Sequence, residues 1–381
     1  MKNNISILIN SLEGGGAERV VTHLIKYLSS KNLNVILVLI SDNILFDIPK
    51  GVKVLYLKKA VANETVILKF LQIPWLAYKY STLLRKNQIS VSISFLARSN
   101  YINIISGVFA GNSRRIISER SFPSQQYGDA SIQSKVNNFL IKKLYPKAHL
   151  IISNSLGNAK DLEMNYKIQR SNIQTIYNPI DIQEINNTAP LNNFMNSNFI
   201  NFISVGRLDT AKNHSFLIDV IDKLDRENVR LYIFGEGELR ESLNEKIQKL
   251  NLSNQIFLMG FTPNPIQYMK VSDAFLFGSK SEGFPNVLLE ALASSLPIIS
   301  TNCKSGPNEI LFNKIIEIDS FKVSELGILV PLDNVSEYVK AVRFFLDNRE
   351  LFFNFEIKGQ KKIVNYTFDK VLEEYYKCLT V

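Results

Sequence analysis

Two glutamates in the second half of the chain have the spacing to bind the two ends of a phosphorylated ligand. Glu282 and Glu290 are eight positions apart and enclose Gly-Phe-Pro-Asn-Val-Leu-Leu. Pro285 suits the first helical position, which predicts a helix starting near Asn286, with Glu282 in the loop and Glu290 on the second turn. The start of that helix favours a phosphate, so a nucleotide-sugar fits this layout. The alternative is a solvated loop glutamate and an ordinary surface helix glutamate.

Two basic residues could bind the same phosphate groups. Arg207 and Lys212 are five positions apart in a predicted turn that follows a predicted strand. Cations placed in this way can converge on one anionic group. The alternative is a pair of solvated loop cations.

A third candidate is the glycine run Gly14–Gly16, which follows the first predicted strand and opens the first predicted helix. Its glycines would let a ligand approach the backbone and leave helix N–H groups for an anion. The dinucleotide fingerprint G-x-G-x-x-G is not met, because Arg19 stands where its last glycine belongs. A nicotinamide cofactor is therefore disfavoured.

These candidates need parallel strands to position them. Ile5–Asn10, the helix over Ala17–Ser30 and Asn34–Ile40 form a strand–helix–strand unit, which is typical of a parallel sheet. The predicted strands that follow in the first half are 52–57, 90–95, 115–118, 150–153 and 173–177. Residues 182–198 are rich in Asn and Pro and predict a linker.

A second alternating series begins at Phe199–Val205. Its later predicted strands are 230–234, 255–259, 274–277 and 297–300, and residues 335–381 predict helices. Two doubly wound halves predict an α/β protein with an interdomain cleft facing the carboxyl ends of both sheets. Gly14–Gly16, Arg207, Gly235 and Glu282 all follow predicted strands directly.

The overall composition is that of a globular protein. Of 381 residues, 46% are hydrophobic and 21% charged, and no run of about 18 apolar residues predicts a membrane span. The two cysteines, Cys303 and Cys378, provide neither a disulfide framework nor a Cys-based zinc site.

The net charge of +9 is unevenly distributed. Residues 1–190 hold 23 basic and 11 acidic residues, a net +12, and the remainder holds 21 and 24, a net −3. The first half is therefore expected to meet an anionic membrane or nucleic acid, unless the excess is only a Lys-rich surface.

Several motifs together resemble the retaining family-4 glycosyltransferases of the GT-B fold, over essentially the full length. In the first half and at the start of the second, the matching segments are Gly14-Gly-Gly-Ala-Glu-Arg19, Asn178-Pro-Ile-Asp181 and Gly206-Arg-Leu…Lys212-Asn213. They continue with Phe234-Gly-Glu-Gly237, Gly260-Phe-Thr262, Glu282-Gly-Phe-Pro-Asn-Val-Leu-Leu-Glu290 and Ser305-Gly-Pro-Asn-Glu309. The E-x7-E spacing combined with the Arg/Lys pair is the specific part of this pattern. The resemblance is to bacterial enzymes that extend lipid-linked oligosaccharides for O-antigen, capsule or glycoprotein assembly.

The resemblance implies two Rossmann-like domains. Residues 1–185 would bind the acceptor, with a C-terminal helix of about 366–381 packing back on them, and residues 186–365 would bind the donor. Arg207 and Lys212 would neutralise the departing diphosphate, Glu282 would bind sugar hydroxyls and Glu290 the ribose. The remaining donor-binding residues would be Gly15, Gly16, Gly235, Gly237, Phe261, Thr262, Gly283, Phe284, Asn286 and Val287.

The sequence departs from the family pattern in one place. Many relatives carry an active-site histidine after the fourth strand of the first domain, whereas residues 94–100 contain none. The acceptor candidates are therefore Arg98, Asn100, Glu119 and Arg120, at predicted strand ends. His23 and His214 are expected to be structural. No D-x-D sequence occurs, so transfer without a metal cofactor is expected.

The implied reaction is the transfer, with retention, of a hexose or N-acetylhexosamine from a nucleotide diphosphate donor to a lipid-linked glycan. UDP is the favoured nucleotide, and undecaprenyl diphosphate is the expected lipid carrier. Such an enzyme would be cytoplasmic and peripheral on the inner face of the cell membrane, with no nucleic acid partner.

Two segments mix basic and apolar residues as interfacial helices do: 65–86, and 135–147 with Lys142, Lys143 and Lys147. The alternatives are a nucleotide-sugar epimerase on the same fold, a transferase with a soluble acceptor, and a nucleic-acid-binding protein suggested only by charge.

Overall fold

The chain forms two units, each built around one sheet. The computed structural model describes residues 4–13, 15–45, 47–61, 64–109, 113–192, 194–196, 198–352 and 355–380. One unit comprises Met1–Pro179 with Phe368–Val381, and the other comprises Ile180–Thr367. Gly14 of the predicted glycine turn lies outside the described residues.

The first unit contains, in its described part, a sheet of seven parallel strands in the order β3-β2-β1-β4-β5-β6-β7. The strands are β1 Asn4–Ile9, β2 Asn34–Leu39, β3 Lys53–Tyr56, β4 Ile89–Phe95, β5 Arg114–Glu119, β6 Leu150–Ser153 and β7 Ile173–Thr175. Nearly every residue of the central strands is buried, because helices cover both faces of the sheet.

The helices of this unit are α1 Gly16–Ser30, α2 Val66–Leu71, α3 Ile73–Lys86, α4 Ala97–Phe109, α5 Pro123–Gln126, α6 Ile132–Leu144 and α7 Leu156–Tyr166. The apolar side of α1 packs on one face of the sheet, and α3 and α4 pack on the other. The helix is interrupted at Gln72, which separates α2 from α3. Pro74, two residues later, lies in the first turn of α3.

The second unit repeats this design. Its described strands form a sheet in the order β10-β9-β8-β11-β12-β14-β13, parallel except for the pair β13–β14. They are β8 Ile200–Val205, β9 Val229–Phe234, β10 Ile256–Gly260, β11 Ala274–Phe277, β12 Ile298–Thr301, β13 Lys322–Ser324 and β14 Gly327–Val330. The predicted α/β class with two doubly wound, largely parallel sheets is confirmed. The antiparallel hairpin of β13 and β14 was not predicted.

The helices of the second unit are α8 Ile182–Asn187, α9 His214–Leu224, α10 Arg240–Lys249, α11 Ile266–Met269, α12 Asn286–Ala293, α13 Pro307–Phe312, α14 Val335–Asp347 and α15 Phe355–Ile363. The prediction of an irregular linker over 182–198 is wrong for its first six residues. The Asp181 carboxylate accepts the Glu184 N–H at 2.9 Å and so caps α8. Pro285 precedes α12 as its N-cap rather than occupying the first helical position.

The last helix, α16 Phe368–Thr380, packs on the first unit. Phe368 stacks on His23 of α1 with ring centroids 3.9 Å apart, and the Tyr27 hydroxyl donates to Glu373 at 2.6 Å. Arg114 at the start of β5 donates to the Cys378 carbonyl at 2.7 Å. Among the described residues, no helix is long and apolar enough to cross a bilayer.

Both sheets reverse their strand order at one point. The chain winds outward from β1 in one direction and from β4 in the other, and likewise from β8 and β11. At such a reversal the loops leaving the two neighbouring strands diverge to opposite faces of the sheet and leave a crevice at the carboxyl ends. The loops that follow β1, β4, β8 and β11 are therefore the places where each unit can bind a ligand.

Gly235 lets two loops of the second unit meet at these carboxyl ends. Its φ is +145°, and a Cβ there would lie 1.9 Å from the Gly206 carbonyl oxygen. Backbone hydrogen bonds continue the contact, with the Gly206 N–H donating to Phe234 at 2.9 Å and the Leu208 N–H to Glu236 at 3.0 Å. The loop that carries Arg207 is therefore held by the loop after β9.

We expect Gly235→Ala to lower the stability of the second unit by about 3 kcal/mol, because the methyl group both overlaps a backbone oxygen and strains the backbone. The measurement is the thermal unfolding midpoint. Gly260→Ala is the matched control. Its φ is +80°, but the nearest atom to its Cβ is the flexible end of Glu236 at 3.1 Å. The control should cost about 1 kcal/mol, and equal losses in the two variants would contradict the packing argument.

Candidate active site

A lysine–glutamate pair lies at the strand-order reversal of the second unit. Lys212 is on the loop after β8, Glu282 is on the loop after β11, and these two strands are neighbours. Lys212 Nζ is 2.6 Å from Glu282 Oε1, and the two side chains are 21% and 10% exposed. The ammonium also lies 5.9 Å from the centroid of the Phe277 ring. Because the pair is largely shielded from water, the attraction between its two charges is screened less than in a surface ion pair.

Asp209 connects Lys212 with the second predicted cation. Its Oδ1 accepts the Lys212 N–H at 2.9 Å, and its Oδ2 lies 3.1 Å from the Arg207 guanidinium. The Arg207 side chain is 80% exposed. The two cations that were predicted to converge on one anion therefore contact two different carboxylates, Asp209 and Glu282. The prediction did not include Asp209.

The loop before α12 is held in place by contacts with the loop after β12. The Ser305 hydroxyl donates to the Gly283 carbonyl, and a Cβ on Gly306, whose φ is +97°, would meet Pro285 Cδ at 2.3 Å. Phe284 is buried, with its ring centroid 5.6 Å from that of Tyr366. Its side chain therefore fixes the loop inside the second unit.

The other predicted donor residues surround the same edge of the sheet. Glu290, Asn286 and Val287 are half-buried on the first turns of α12. Phe261 follows β10 with an exposed ring, and Thr262 is partly buried beside it. Gly237 packs so closely that a Cβ there would lie 2.4 Å from the Leu208 carbonyl oxygen.

His214 begins α9 directly after Lys212-Asn213 and is buried. Burial lowers the pKa of its imidazole to about 4, and the neighbouring Lys212 charge acts in the same direction. The ring is therefore neutral at physiological pH. A neutral, buried ring agrees with the expected structural role.

The first unit contains a cavity of about 720 Å³ at its own strand-order reversal. Residues after β1 and β4 line it, among them Asn10, Glu13 and Arg98. Within it, Glu64 contacts the ammonium of Lys58 and lies 3.4 Å from Arg98. Gln72 accepts from both cations, at 3.0 Å from Lys58 and 3.1 Å from Arg98. The pKa of Glu64 is lowered because the hydrogen bonds and charges of these partners outweigh its burial.

Of the four predicted acceptor residues, Arg98 lines this cavity and contacts Glu64 and Gln72 within it. Asn100 is fully buried, and its amide is engaged by Ser94, the Ser118 carbonyl and Tyr145. Its amide is therefore engaged inside the unit, away from the lining of the cavity.

Glu119 and Arg120 also line the cavity, but each is tied to its surroundings. The Glu119 carboxylate accepts from the Arg120 and Ser121 N–H groups at 2.9 and 3.1 Å and from the Tyr145 hydroxyl at 2.6 Å. The Arg120 guanidinium donates to Asn178 and, at 2.9 Å, to Tyr375 of α16. These contacts hold both side chains, and with them the loop after β5, in place.

The glycine turn differs from its prediction. Gly15 is the N-cap of α1, and its N–H donates to the Glu18 carboxylate at 2.9 Å. That N–H was expected to be available to an anion. Gly16 is exposed at the start of α1. Sequence reasoning could have anticipated the contact, since a glutamate three residues after a cap is the second half of a capping box.

The three predicted membrane-facing lysines, Lys142, Lys143 and Lys147, are exposed at and just beyond the end of α6. Lys142 lies 6.0 Å from the centroid of the Tyr166 ring. Their exposure makes them available to an anionic surface.

Comparison with known proteins identifies the family. One family model, described as Glycosyltransferase Family 4, matches residues 14–184, and another, described as Glycosyl transferases group 1, matches residues 190–362. The N-acetylgalactosamine-N,N'-diacetylbacillosaminyl-diphospho-undecaprenol 4-alpha-N-acetylgalactosaminyltransferase of Campylobacter jejuni is 39% identical over 367 residues, which are 96% of both chains. The chain belongs to the glycosyltransferase family that these two models and this relative represent.

Two further comparisons extend this result. The capsular polysaccharide biosynthesis glycosyltransferase CapH of Staphylococcus aureus is 31% identical over 70% of this chain and 72% of its own. The crystal structure of Anabaena HepE in complex with UDP superposes with a TM-score of 0.76, at 17% identity and 99% coverage of both chains. The chain is thus a glycosyltransferase with the GT-B fold, as predicted.

We expect the His214 ring to keep its neutral form between pH 8 and about pH 5, because its pKa of about 4 lies below that range. The ring-proton resonances followed by NMR as a function of pH measure this directly, and a His214→Gln spectrum assigns them. A titration midpoint near 6.5, the ordinary value for histidine, would contradict the burial of the ring.

Proposed function

We propose that this glycosyltransferase transfers a hexose or N-acetylhexosamine from a nucleotide diphosphate donor to a lipid-linked glycan, with retention at the anomeric carbon. The observation that carries the proposal is the contact between Lys212 and Glu282 at 2.6 Å. It brings a cation suited to a diphosphate beside a carboxylate suited to sugar hydroxyls, at a strand-order reversal where such sheets bind ligands.

In this proposal the diphosphate binds between the start of α12 and the two cations. Lys212 can donate to a phosphate while keeping its bond to Glu282, because an ammonium has three N–H groups. Arg207 is exposed and can turn from Asp209 to the outer phosphate. Both charges then stabilise the diphosphate as it leaves, which is where negative charge grows in the transition state. Glu290 would bind the ribose, and Phe261 and Thr262 would line the base.

Relatives support the donor and the stereochemistry. The C. jejuni relative is named as an α-N-acetylgalactosaminyltransferase, and an α-linked product formed from an α-configured nucleotide-sugar requires retention. The Anabaena protein of the same fold binds UDP, so we propose a UDP-sugar donor.

The cavity of the first unit is the proposed acceptor site. Its lining combines carboxylates, amides and the Arg98 guanidinium, which are groups that hydrogen-bond sugar hydroxyls. The named relative acts on a diphospho-undecaprenol-linked glycan, and we propose an acceptor of the same class. The enzyme would then act as a peripheral protein on the inner face of the cell membrane, in the assembly of a surface polysaccharide or glycan.

The proposal predicts that UDP is released from a UDP-N-acetylhexosamine only when an undecaprenyl-diphosphate-linked sugar is present. The assay measures released nucleoside diphosphate and the mass of the lipid product, with UDP-hexoses and a GDP-sugar as alternative donors. Equal transfer to the free reducing sugar would instead support a soluble acceptor. Recovery of an epimerised nucleotide-sugar without transfer would support the epimerase.

We further propose that transfer proceeds without a divalent metal, because Arg207 and Lys212 supply the positive charge that the diphosphate needs. Activity should persist in excess EDTA. Complete loss in EDTA, restored by Mg²⁺ or Mn²⁺, would contradict this part of the proposal.

We expect Arg207→Ala and Lys212→Ala each to lower the transfer rate by about 10² to 10³, or about 3–4 kcal/mol, because each removes one charged contact made in the transition state. The measurement is kcat for UDP release under saturating donor, with circular dichroism to verify folding. The matched control is Arg226→Ala, which also breaks an Arg–Asp pair in the same unit, 3.4 Å from Asp347. A folded double variant of Arg207 and Lys212 with wild-type rates would exclude them from the active site.

A further inference from the structure

Helix α2 exposes an apolar surface that the fold of the first unit does not use. All six of its residues are described, and none is buried. Ile67 and Leu71 are 68% and 71% exposed, and Val66 and Leu68 are also exposed. A helix in water normally buries its apolar stripe, whereas α2 packs only Phe70 on the core and leaves these four apolar side chains exposed, so a partner is expected to cover them.

This surface continues onto the neighbouring helices. Trp75 and Tyr78 of α3 are more than half exposed, and Tyr78 packs edge-on against Phe109 at the end of α4, with ring centroids 5.6 Å apart. We call the exposed side chains of these three helices the α2 surface: Val66, Ile67, Leu68, Leu71, Trp75, Tyr78, Val108 and Phe109. It combines aliphatic residues with Trp and Tyr, the composition that membrane interfaces favour.

The segment of sequence that carries the α2 surface contains charged residues of one sign. The sequence contains no Asp or Glu from residue 65 to residue 118, whereas it contains seven Lys and Arg residues there. Four of these, Lys69, Lys79, Arg85 and Lys86, are on α2 and α3, and the Lys79 ammonium lies 5.3 Å from the centroid of the Trp75 ring. The nearest acidic residue in sequence, Glu64, is neutralised by Lys58 and Arg98. An apolar surface with a cationic border is complementary to an anionic bilayer.

The helix is held in place by Phe70, which is half-buried against the core of the first unit, and by polar contacts at its two ends. Glu64 just before it and Gln72 just after it both contact Lys58 and Arg98. The Thr65 hydroxyl caps it by accepting the Leu68 N–H. An isolated six-residue helix would be unstable in water, so these tethers keep the apolar side chains presented to the exterior.

We infer that the α2 surface inserts into the interfacial region of an anionic lipid bilayer. Val66, Lys69 and Phe70 of α2 also line the cavity of the first unit. Docking through this surface therefore puts the mouth of that cavity at the depth of the lipid headgroups. The inference deepens the proposed function, because it names the surface that meets the membrane, and its test needs neither donor nor acceptor.

The test uses the full chain and vesicles of phosphatidylglycerol and phosphatidylcholine in equal parts. Trp75 is the only tryptophan in the chain, so its fluorescence reports on the α2 surface alone. On addition of vesicles we expect its emission to shift to the blue and its quenching by aqueous iodide to fall. Ile67→Ser with Leu71→Ser should weaken vesicle flotation about tenfold or more, since each change removes the transfer of an apolar side chain.

Two controls separate this surface from α6. Ile132→Ser with Phe139→Ser changes two apolar residues of α6 that are 77% and 60% exposed, and it should leave flotation and the Trp75 shift unchanged. Lys142→Glu, Lys143→Glu and Lys147→Glu together should weaken binding and make it less dependent on salt, because cationic contacts with the bilayer are lost, while the Trp75 shift is retained. Circular dichroism and thermal midpoints establish that all variants fold.

Several results would overturn the inference. Flotation of the wild type without a Trp75 shift would mean that another surface binds the bilayer. Unchanged flotation of the folded Ile67/Leu71 variant, or loss of binding in the α6 apolar variant instead, would have the same meaning. Failure of the wild type to float would exclude bilayer docking, whatever the transfer assay gives. Self-association in gel filtration that only the Ile67/Leu71 variant abolishes, without any effect on flotation, would assign the surface to a second copy of the chain.

Discussion

The reversal of strand order is the constraint on which both candidate sites depend. In each sheet the chain starts in the middle and winds outward twice, so that β1 lies beside β4 and β8 beside β11. The loops that leave these neighbouring strands must diverge, because their helices cover opposite faces. In the second unit this brings Lys212 to Glu282 across 70 positions of sequence. In the first unit it opens the cavity that Asn10 and Arg98 line.

The charges of the proposed donor site are arranged so that each cation already has a carboxylate partner. Lys212 is held through its side chain by Glu282 and through its backbone by Asp209, while Asp209 also contacts Arg207. A buried cation without such partners would be costly. The arrangement leaves Lys212 shielded and fixed and Arg207 exposed and adjustable. In the proposed function, one cation would thus be preorganised for a diphosphate, and the other would close on it.

The first unit treats its charges in two different ways. In its interior, Glu119, Arg120 and Glu64 are satisfied by several partners each, so that burial does not leave a bare charge. On its exterior, α2 and α3 carry basic residues with no acidic residue between them, beside apolar side chains that are largely exposed. The interior pattern stabilises the fold, whereas the exterior pattern is suited to an anionic, apolar partner.

The sequence by itself determined the class of fold and the edge of the sheets where chemistry can occur. Alternating apolar strands and amphipathic helices have few packing solutions, and polar residues after parallel strands must lie at one edge. The positions of Arg207, Lys212 and Glu282 after their strands follow from this alone. The first six residues of the predicted linker over 182–198 were mispredicted because short-range capping by Asp181 outweighs a composition rich in Asn.

Only the tertiary structure decided which charged residues contact one another and which side chains face outward. The burial of Asn100 and Phe284, the use of the Gly15 N–H by Glu18 and the role of Asp209 between two cations depend on contacts a few ångströms long. The sequence of segment 65–86 predicts one amphipathic stretch. In the structure, Tyr80 is buried and hydrogen-bonded to Ser6 at 2.9 Å, whereas Trp75 and Tyr78 are exposed. Sequence periodicity fixes which residues share a helix face, but the neighbours against which that face packs are set by long-range contacts that no local pattern encodes.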